Sequence, residues 1–241
     1  MPKQTDPDPQ TRILDAAEDA IGEMGFAGAS LRHIATAARV NLATAYYYFG
    51  SKRGLMEAVL KRRLGPLREE HLALLRGFEA AARGRPLPAE KILEAMLLPP
   101  LRLAAKAPAK HQAVTRLVGR IVTEPHAETQ EVLRGQRAEV WTAFRKAWQR
   151  SLPGASLSEL LWRMEFVWGA LAFVLCNPRK IELETHGACN PARTDEVVGC
   201  MIHFFSPGFR NLARGKAKSR PGSPTNARFP RQKFATTKTN A

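Results

Sequence analysis

Three tyrosines stand side by side at Tyr46, Tyr47 and Tyr48, and the chain has no others. A phenol donates a hydrogen bond to a phosphate oxygen, and its ring can rest against a thymine methyl. Consecutive residues step by about 100° round a helix, so three of them cannot all face a core. At least one hydroxyl must meet solvent or a ligand. The plainer alternative is one core ring, one boundary ring and one ordinary exposed aromatic. A second set is Trp141, Phe144 and Trp148, spaced i, i+3, i+7 on one helix face. Such a ladder can line an apolar cavity, or it can simply pack. His186 with Cys189, and Cys200 with His203, are each three residues apart, and four such ligands can hold zinc. Residues 186–191 read as a loop, however, and isolated Cys and His are usually structural, so no metal and no cofactor is expected. Walker-type loops, Gly-x-Gly-x-x-Gly after a strand and Gly-x-Ser-x-Gly are all missing, so nothing points to an enzyme.

The elements that must carry these groups are helical. The chain shows no convincing alternating strand, no Asn-Gly hairpin and no internal repeat. Asp8-Pro9 reads as an N-cap and first helical residue, Ile13, Leu14, Ala17, Ile21 and Met24 form an apolar face, and Gly25 ends the helix. Ser30 caps a short helix over 31–38, and Asn41 caps another over 42–49, which carries the tyrosines. The turn between them is Arg39-Val40-Asn41, and Ile34, Ala35, Ala38 and Val40 supply the small contacts that pack one helix across the other. This is the layout of a helix-turn-helix, whose second helix enters the major groove. A fourth helix should run from near Lys52 to about Phe78, kinked or broken at Gly65-Pro66. Further helices are expected at about 89–107, bent or broken at Pro99-Pro100, and then at 110–123, 126–151, 157–177 and 193–206.

Composition limits what these helices can serve. The chain has 241 residues, 44% of them hydrophobic, enough for a core and too many for wholesale disorder. Its net charge of +15 suggests a polyanionic partner, nucleic acid before membrane. More than half of that excess falls in residues 214–241, which hold eight Lys and Arg and no acid and read as a disordered basic tail. The longest apolar run, Phe166 to Cys176, is 11 residues, well under the roughly 20 that a membrane span needs. Three cysteines suit a reducing cytosol, and the N-terminus lacks an apolar signal segment. A cytoplasmic protein is therefore expected.

Residues 13–60, ILDAAEDAIGEMGFAGASLRHIATAARVNLATAYYYFGSKRGLMEAVL, resemble the DNA-binding domain of TetR-type (tetracycline-repressor-like) transcriptional regulators. The resemblance rests on Ile13-Leu14-Asp15-Ala16-Ala17, Gly25-Phe26, Ile34-Ala35, Val40-Asn41, Thr44-Ala45-Tyr46-Tyr47-Tyr48-Phe49 and Ser51-Lys52, in order and at the family's spacing. It implies that Leu42, Ala43 and Thr44 face the groove floor and nearest phosphate, that Tyr47 reads base edges or methyls, and that Tyr46 and Tyr48 touch phosphate or groove wall. Arg32 and Lys52 would grip the backbone, and helix N-termini would add N–H donors toward phosphate. Two positions depart from the family pattern. Arg39 stands where Gly is usual in the turn, and glycine alone takes positive φ at little cost. Ala45 stands where a larger aliphatic is usual.

The resemblance also implies a bacterial, nucleoid-associated protein with a helical C-terminal domain for ligand binding and dimerisation. That gives an all-α protein with a helix-turn-helix domain at 1–55, a ligand-binding and dimerisation domain at 56–213 and the tail at 214–241. Leu157, Leu161, Met164, Trp168 and Leu171 on one helix, with Val198, Met201 and Phe205 on a later one, are candidates for a four-helix dimer interface. The same stripes would serve equally as intramolecular core. Trp141, Phe144 and Trp148 would line the ligand cavity, and the C-terminal pattern resembles a fatty-acyl-responsive subgroup. An elongated apolar effector, with an anionic head near Arg116 or Arg120, is the implied ligand. The expected function is a homodimeric repressor on a pseudo-palindromic double-stranded operator, released by that effector. The competing reading is an architectural protein that binds nucleic acid non-specifically through its tail.

Overall fold

The computed structural model describes residues 7–105 and 127–214. The expected helix at 110–123, Arg116, Arg120 and residues 215–241 of the basic tail lie outside the described residues. Every regular element among those described is an α-helix: α1 (Pro9–Gly28), α2 (Leu31–Ala37), α3 (Leu42–Phe49), α4 (Lys52–Ala81), α5 (Ala89–Ala105), α6 (Ala127–Ser151), α7 (Leu157–Cys176), α8 (Pro178–Glu184) and α9 (Thr194–Arg214).

Two apolar cores organise them. The N-terminal core takes Ile13, Ala17, Ile21 and Phe26 from α1, Leu31, Ile34 and Ala35 from α2, Ala45 from α3, and Leu55, Met56, Val59 and Leu60 from α4. Burying a Val, Leu, Ile or Met fully is worth about 1.5–3 kcal/mol, so four such residues commit the start of α4 to this core. Val132 and Leu133 of α6 enter the same core. The C-terminal core gathers Leu72 and Leu75 of α4, Ile92, Leu93, Met96 and Leu97 of α5, Phe144 and Trp148 of α6, Met164 and Val167 of α7, and Val198, Met201 and Phe209 of α9. Both α4 and α6 therefore belong to both cores, and any strain on them is felt on both sides. Buried Glu18 of α1 fixes the lower part of α4, accepting from Arg62 Nε at 2.8 Å and pairing with Arg63, while Arg62 also reaches Asp15.

The helix starts follow the side chains that cap them. Asp8, Ser30 and Asn41 accept from the backbone N–H of Thr11, His33 and Ala43 at 3.1, 3.1 and 2.9 Å. Gly25 breaks α1 with φ of 73°, and helical geometry resumes for one further turn that buries Phe26. The prolines stop less than their chemistry suggests. Helix α4 passes through Pro66, α5 through Pro99 and Pro100, and α9 through Pro207. An interior proline costs about 3 kcal/mol. Beyond Pro207, Phe209 and Leu212 are both buried, which returns about 3–6 kcal/mol and carries α9 past the expected end at 206. Helix α8 was not expected; it buries no residue, and Pro178 starts it as a first-turn proline rather than merely ending α7.

Candidate functional site

Helices α2 and α3 form the helix-turn-helix. Val40 N–H reaches the Ala35 carbonyl at 3.0 Å and Arg39 N–H reaches that of Thr36 at 3.1 Å, the paired bonds of a Schellman cap. The residue at the left-handed position of that cap is Arg39, with φ of 54°. Ala45 is wholly buried under α3, so its methyl is the contact that seats the recognition helix. At the far end, Gly54 of α4 lies so close to the Phe49 carbonyl that an added Cβ would sit 2.2 Å from the oxygen. Glycine there lets the two helices meet.

With Ala45 inward, the tyrosines turn outward. Tyr47 is 85% exposed, Tyr46 50% and Tyr48 39%. The Tyr47 and Tyr48 rings meet edge to face at 5.3 Å. Ala43 and Tyr47 share one helix face, with Thr44 and Tyr48 beside them. Ala43 and Arg32 are exposed, while Leu42 and Thr44 are half-buried. Lys52 donates to the Ala27 carbonyl at 3.1 Å and rests 4.5 Å over the Phe26 ring. It ties the last turn of α1 to α4, and a phosphate would have to share it. Arg39, which the sequence marked only as a conformational oddity, is an exposed cation beside the N-terminus of α3.

The aromatic ladder of α6 is mostly structural in this chain. Phe144 and Trp148 are fully buried, and Trp148 stacks on Phe209 of α9 at 3.9 Å and 11°. Trp141 is half-buried at the edge of the core. Nearby is a group that the sequence did not single out. The buried His71 ring lies edge-on to Phe144 at 5.9 Å and to Trp168 at 5.8 Å. Its nitrogens approach the Leu67 and Met96 carbonyls at 2.9 and 3.1 Å. Burial pushes its pKa down to about 4, with the two carbonyls opposing and Arg137 adding to the shift. A neutral ring carries one N–H for these two acceptors. Nothing in sequence marks His71 or Arg137, since each occupies one place on an ordinary amphipathic helix.

The stripes proposed for a second copy divide in two. Met164, Leu171, Val198 and Met201 are buried within a single chain, and Leu161, Trp168 and Phe205 pack against the same core. The first four are covered by their own chain, on faces packed into the C-terminal core. Leu157 of those stripes is exposed, and so are the apolar side chains Trp162, Phe166 and Phe173 of α7 and Phe204 of α9. Trp162, Phe166 and Phe173 recur at i, i+4 and i+11, one face of the helix, and Trp162 stacks on Phe166 at 5.9 Å. No helix among the described residues is long and apolar enough to cross a membrane.

An exposed aromatic recognition helix on a capped helix-turn-helix, joined through α4 and α6 to a second helical core, defines a class of DNA-binding regulator. Residues 13–59 match the family of bacterial regulatory proteins, tetR family, and residues 94–208 match the tetracyclin repressor-like C-terminal domain. Together the two matches take in most of the chain, and the protein belongs to the tetR family of bacterial regulatory proteins. It is similar to the HTH-type transcriptional regulator BetI of Rhizobium meliloti, 36% identical over 77 residues, which are 32% of this chain and 38% of that relative. Among solved structures it is similar to the fatty acid degradation regulator FadR of Bacillus halodurans, at 17% identity and TM-score 0.55, over 86% of this chain and 99% of that one. Salmonella enterica GusR matches at 17% and 0.54, over 88% and 100%. The transcriptional regulator FadR of Bacillus subtilis, in complex with stearoyl-CoA, matches at 14% and 0.50, over 82% and 98%. At these identities the likeness is one of fold.

Proposed function

We propose that this protein is a sequence-specific transcriptional repressor that binds its operator as a homodimer and leaves it when a small apolar effector fills the C-terminal domain. The observation that carries the reading is the recognition helix itself: three phenols held outward by one buried alanine, with Tyr47 85% exposed. A fold gains nothing by placing an aromatic ring of that size in water, whereas a groove reader needs it there. Two copies would meet through Trp162, Phe166 and Phe173 of α7 and Phe204 of α9, an apolar surface that a soluble chain otherwise leaves bare. A two-fold dimer makes the operator a pseudo-palindrome, with half-sites about one helical turn or a multiple apart.

Release follows from population shift. An effector that binds better to one spacing of the two recognition helices draws the dimer toward it. Helices α4 and α6, shared between the cores, are the connections through which this chain would feel the effector. The acyl-coenzyme A held by the Bacillus subtilis neighbour favours an acyl-type ligand. The competing reading, non-specific binding through residues 214–241, gains no support from the helix-turn-helix. Selection of bound DNA from a random pool tests the proposal. Recovery of a pseudo-palindrome is the expected outcome, and an unenriched pool would remove it.

A further inference from the structure

Arg137 stands at the head of the α6 aromatic stripe, four residues before Trp141 and seven before Phe144. Its guanidinium carbon lies over the Trp168 ring, 5.1 Å from the centroid. The His71 ring meets that indole edge to face at 5.8 Å and Phe144 at 5.9 Å. A guanidinium over an aromatic ring still carries several N–H donors in a fork, more than the ring contact uses. Among the described residues no oxygen takes a hydrogen bond from Arg137 and no carboxylate lies within ion-pair distance. Glu165, exposed on α7, is the acid whose charge it feels. The Trp168 Nε1 is buried with no acceptor. Among the described residues, the half-buried cation and the indole N–H thus have no anion within hydrogen-bond reach, at the end of an apolar stripe. Burial itself disfavours the guanidinium charge, so the site gains when an anion neutralises it.

We propose that Arg137 is the anchor for the effector's anionic group, and that the effector is a carboxylate-bearing amphiphile whose apolar body follows Trp141 and Trp168. This rests on the reading of the C-terminal domain as an effector site. A carboxylate matches the fork in a bidentate pair, and one guanidinium balances one negative charge. The several phosphates of a coenzyme A ester ask for more cations than this position offers. The anchor is also close to the DNA-binding side. Leu133, one turn earlier on α6, is buried in the N-terminal core, and Glu131 holds Arg53 of α4 at 3.0 Å. Four residues of helix are about 6 Å, so a pull on Arg137 reaches the turn of α6 that packs against α4.

The test is a tryptophan-fluorescence and calorimetric titration of the full chain with dodecanoate, 1-dodecanol and dodecanoyl-coenzyme A, with operator release as a parallel readout. Dodecanoate should bind wild type at least about tenfold more tightly than 1-dodecanol. Arg137→Gln should remove that advantage and leave 1-dodecanol unchanged. Arg137→Lys, which keeps the charge without the fork, should retain part of it, and serves if the glutamine variant unfolds. Equal binding of acid and alcohol, unaffected by either variant, overturns the anchor and leaves the apolar effector site standing. Binding of the coenzyme A ester alone, undisturbed in Arg137→Gln, does the same. If none of the three binds or releases DNA, both the anchor and the effector reading fall.

Discussion

Arg39 gives the sharpest quantitative handle on the turn that aims the recognition helix. It holds φ of 54° at the left-handed position of the α2 cap, with the bonds from Val40 and Arg39 already made at 3.0 and 3.1 Å. A side chain with a Cβ costs roughly 1–2 kcal/mol in that conformation. Glycine removes the clash but gives the unfolded chain more freedom, worth roughly 0.5–1 kcal/mol in the other direction. Arg39→Gly should therefore stabilise the protein by about 0.5–1 kcal/mol, or about 1–4 °C in Tm for a chain of this size. The Arg39 side chain is exposed, so its loss removes no packing. Arg39→Ala keeps the strained φ and loses the same charge, and it should show no gain; Arg39→Asn should fall between. Urea titration of the four proteins decides. If alanine stabilises as much as glycine, backbone strain is not the source. The charge is read separately: if Arg39 touches a phosphate, all three variants should lower the salt slope of DNA binding by about 0.9.

Three further outcomes follow from single residues. His71 titrates at about 4 in the fold against an ordinary 6.5, so the unfolded chain takes a proton that the folded chain refuses. Its contribution is whole above pH 6.5 and is lost as pH falls toward 4; the stability difference between wild type and His71→Gln should shrink by about 2 kcal/mol from pH 7.5 to pH 5, and parallel pH profiles in urea would refute it. Gly54→Ala places a Cβ 2.2 Å from the Phe49 carbonyl oxygen; it should cost about 1–3 kcal/mol and weaken operator binding, and unchanged denaturation and gel-shift titrations would show that α3 and α4 need no such approach. Phe166→Glu, at a side chain 58% exposed in one chain, should yield folded monomers by sedimentation at micromolar concentration, and a persisting dimer would exclude this face as the interface.

The sequence exposed the N-terminal half of the molecule more fully than the C-terminal half, for a physical reason. Caps, turns and glycines are local signals, so Asp8, Ser30, Asn41, Gly25 and the conformational cost at Arg39 could be read from neighbours within a few residues. Helix geometry alone required at least one outward tyrosine, and the structure turns all three outward. In the larger domain the signals are apolar stripes, and a stripe states that a face is covered without stating what covers it. Met164 and Leu171 face their own chain while Trp162 and Phe166, one step round the same helix, face outward. Prolines 66, 99, 100 and 207 marked breaks that long-range burial overrides. The meeting of His71, Arg137 and Trp168 joins three helices distant in sequence, and no local pattern encodes it.

The central claim is that α3 reads DNA through its exposed phenols. Its most direct test is the ratio of operator to random-DNA affinity for wild type and Tyr47→Ala, measured by fluorescence anisotropy at one salt concentration. Tyr47 is 85% exposed and its removal leaves the core intact. The variant should keep its unfolding midpoint and its affinity for random DNA, while operator affinity falls by about 1–3 kcal/mol. An unchanged ratio, with the operator still bound as tightly, would contradict the account and place recognition elsewhere in the chain.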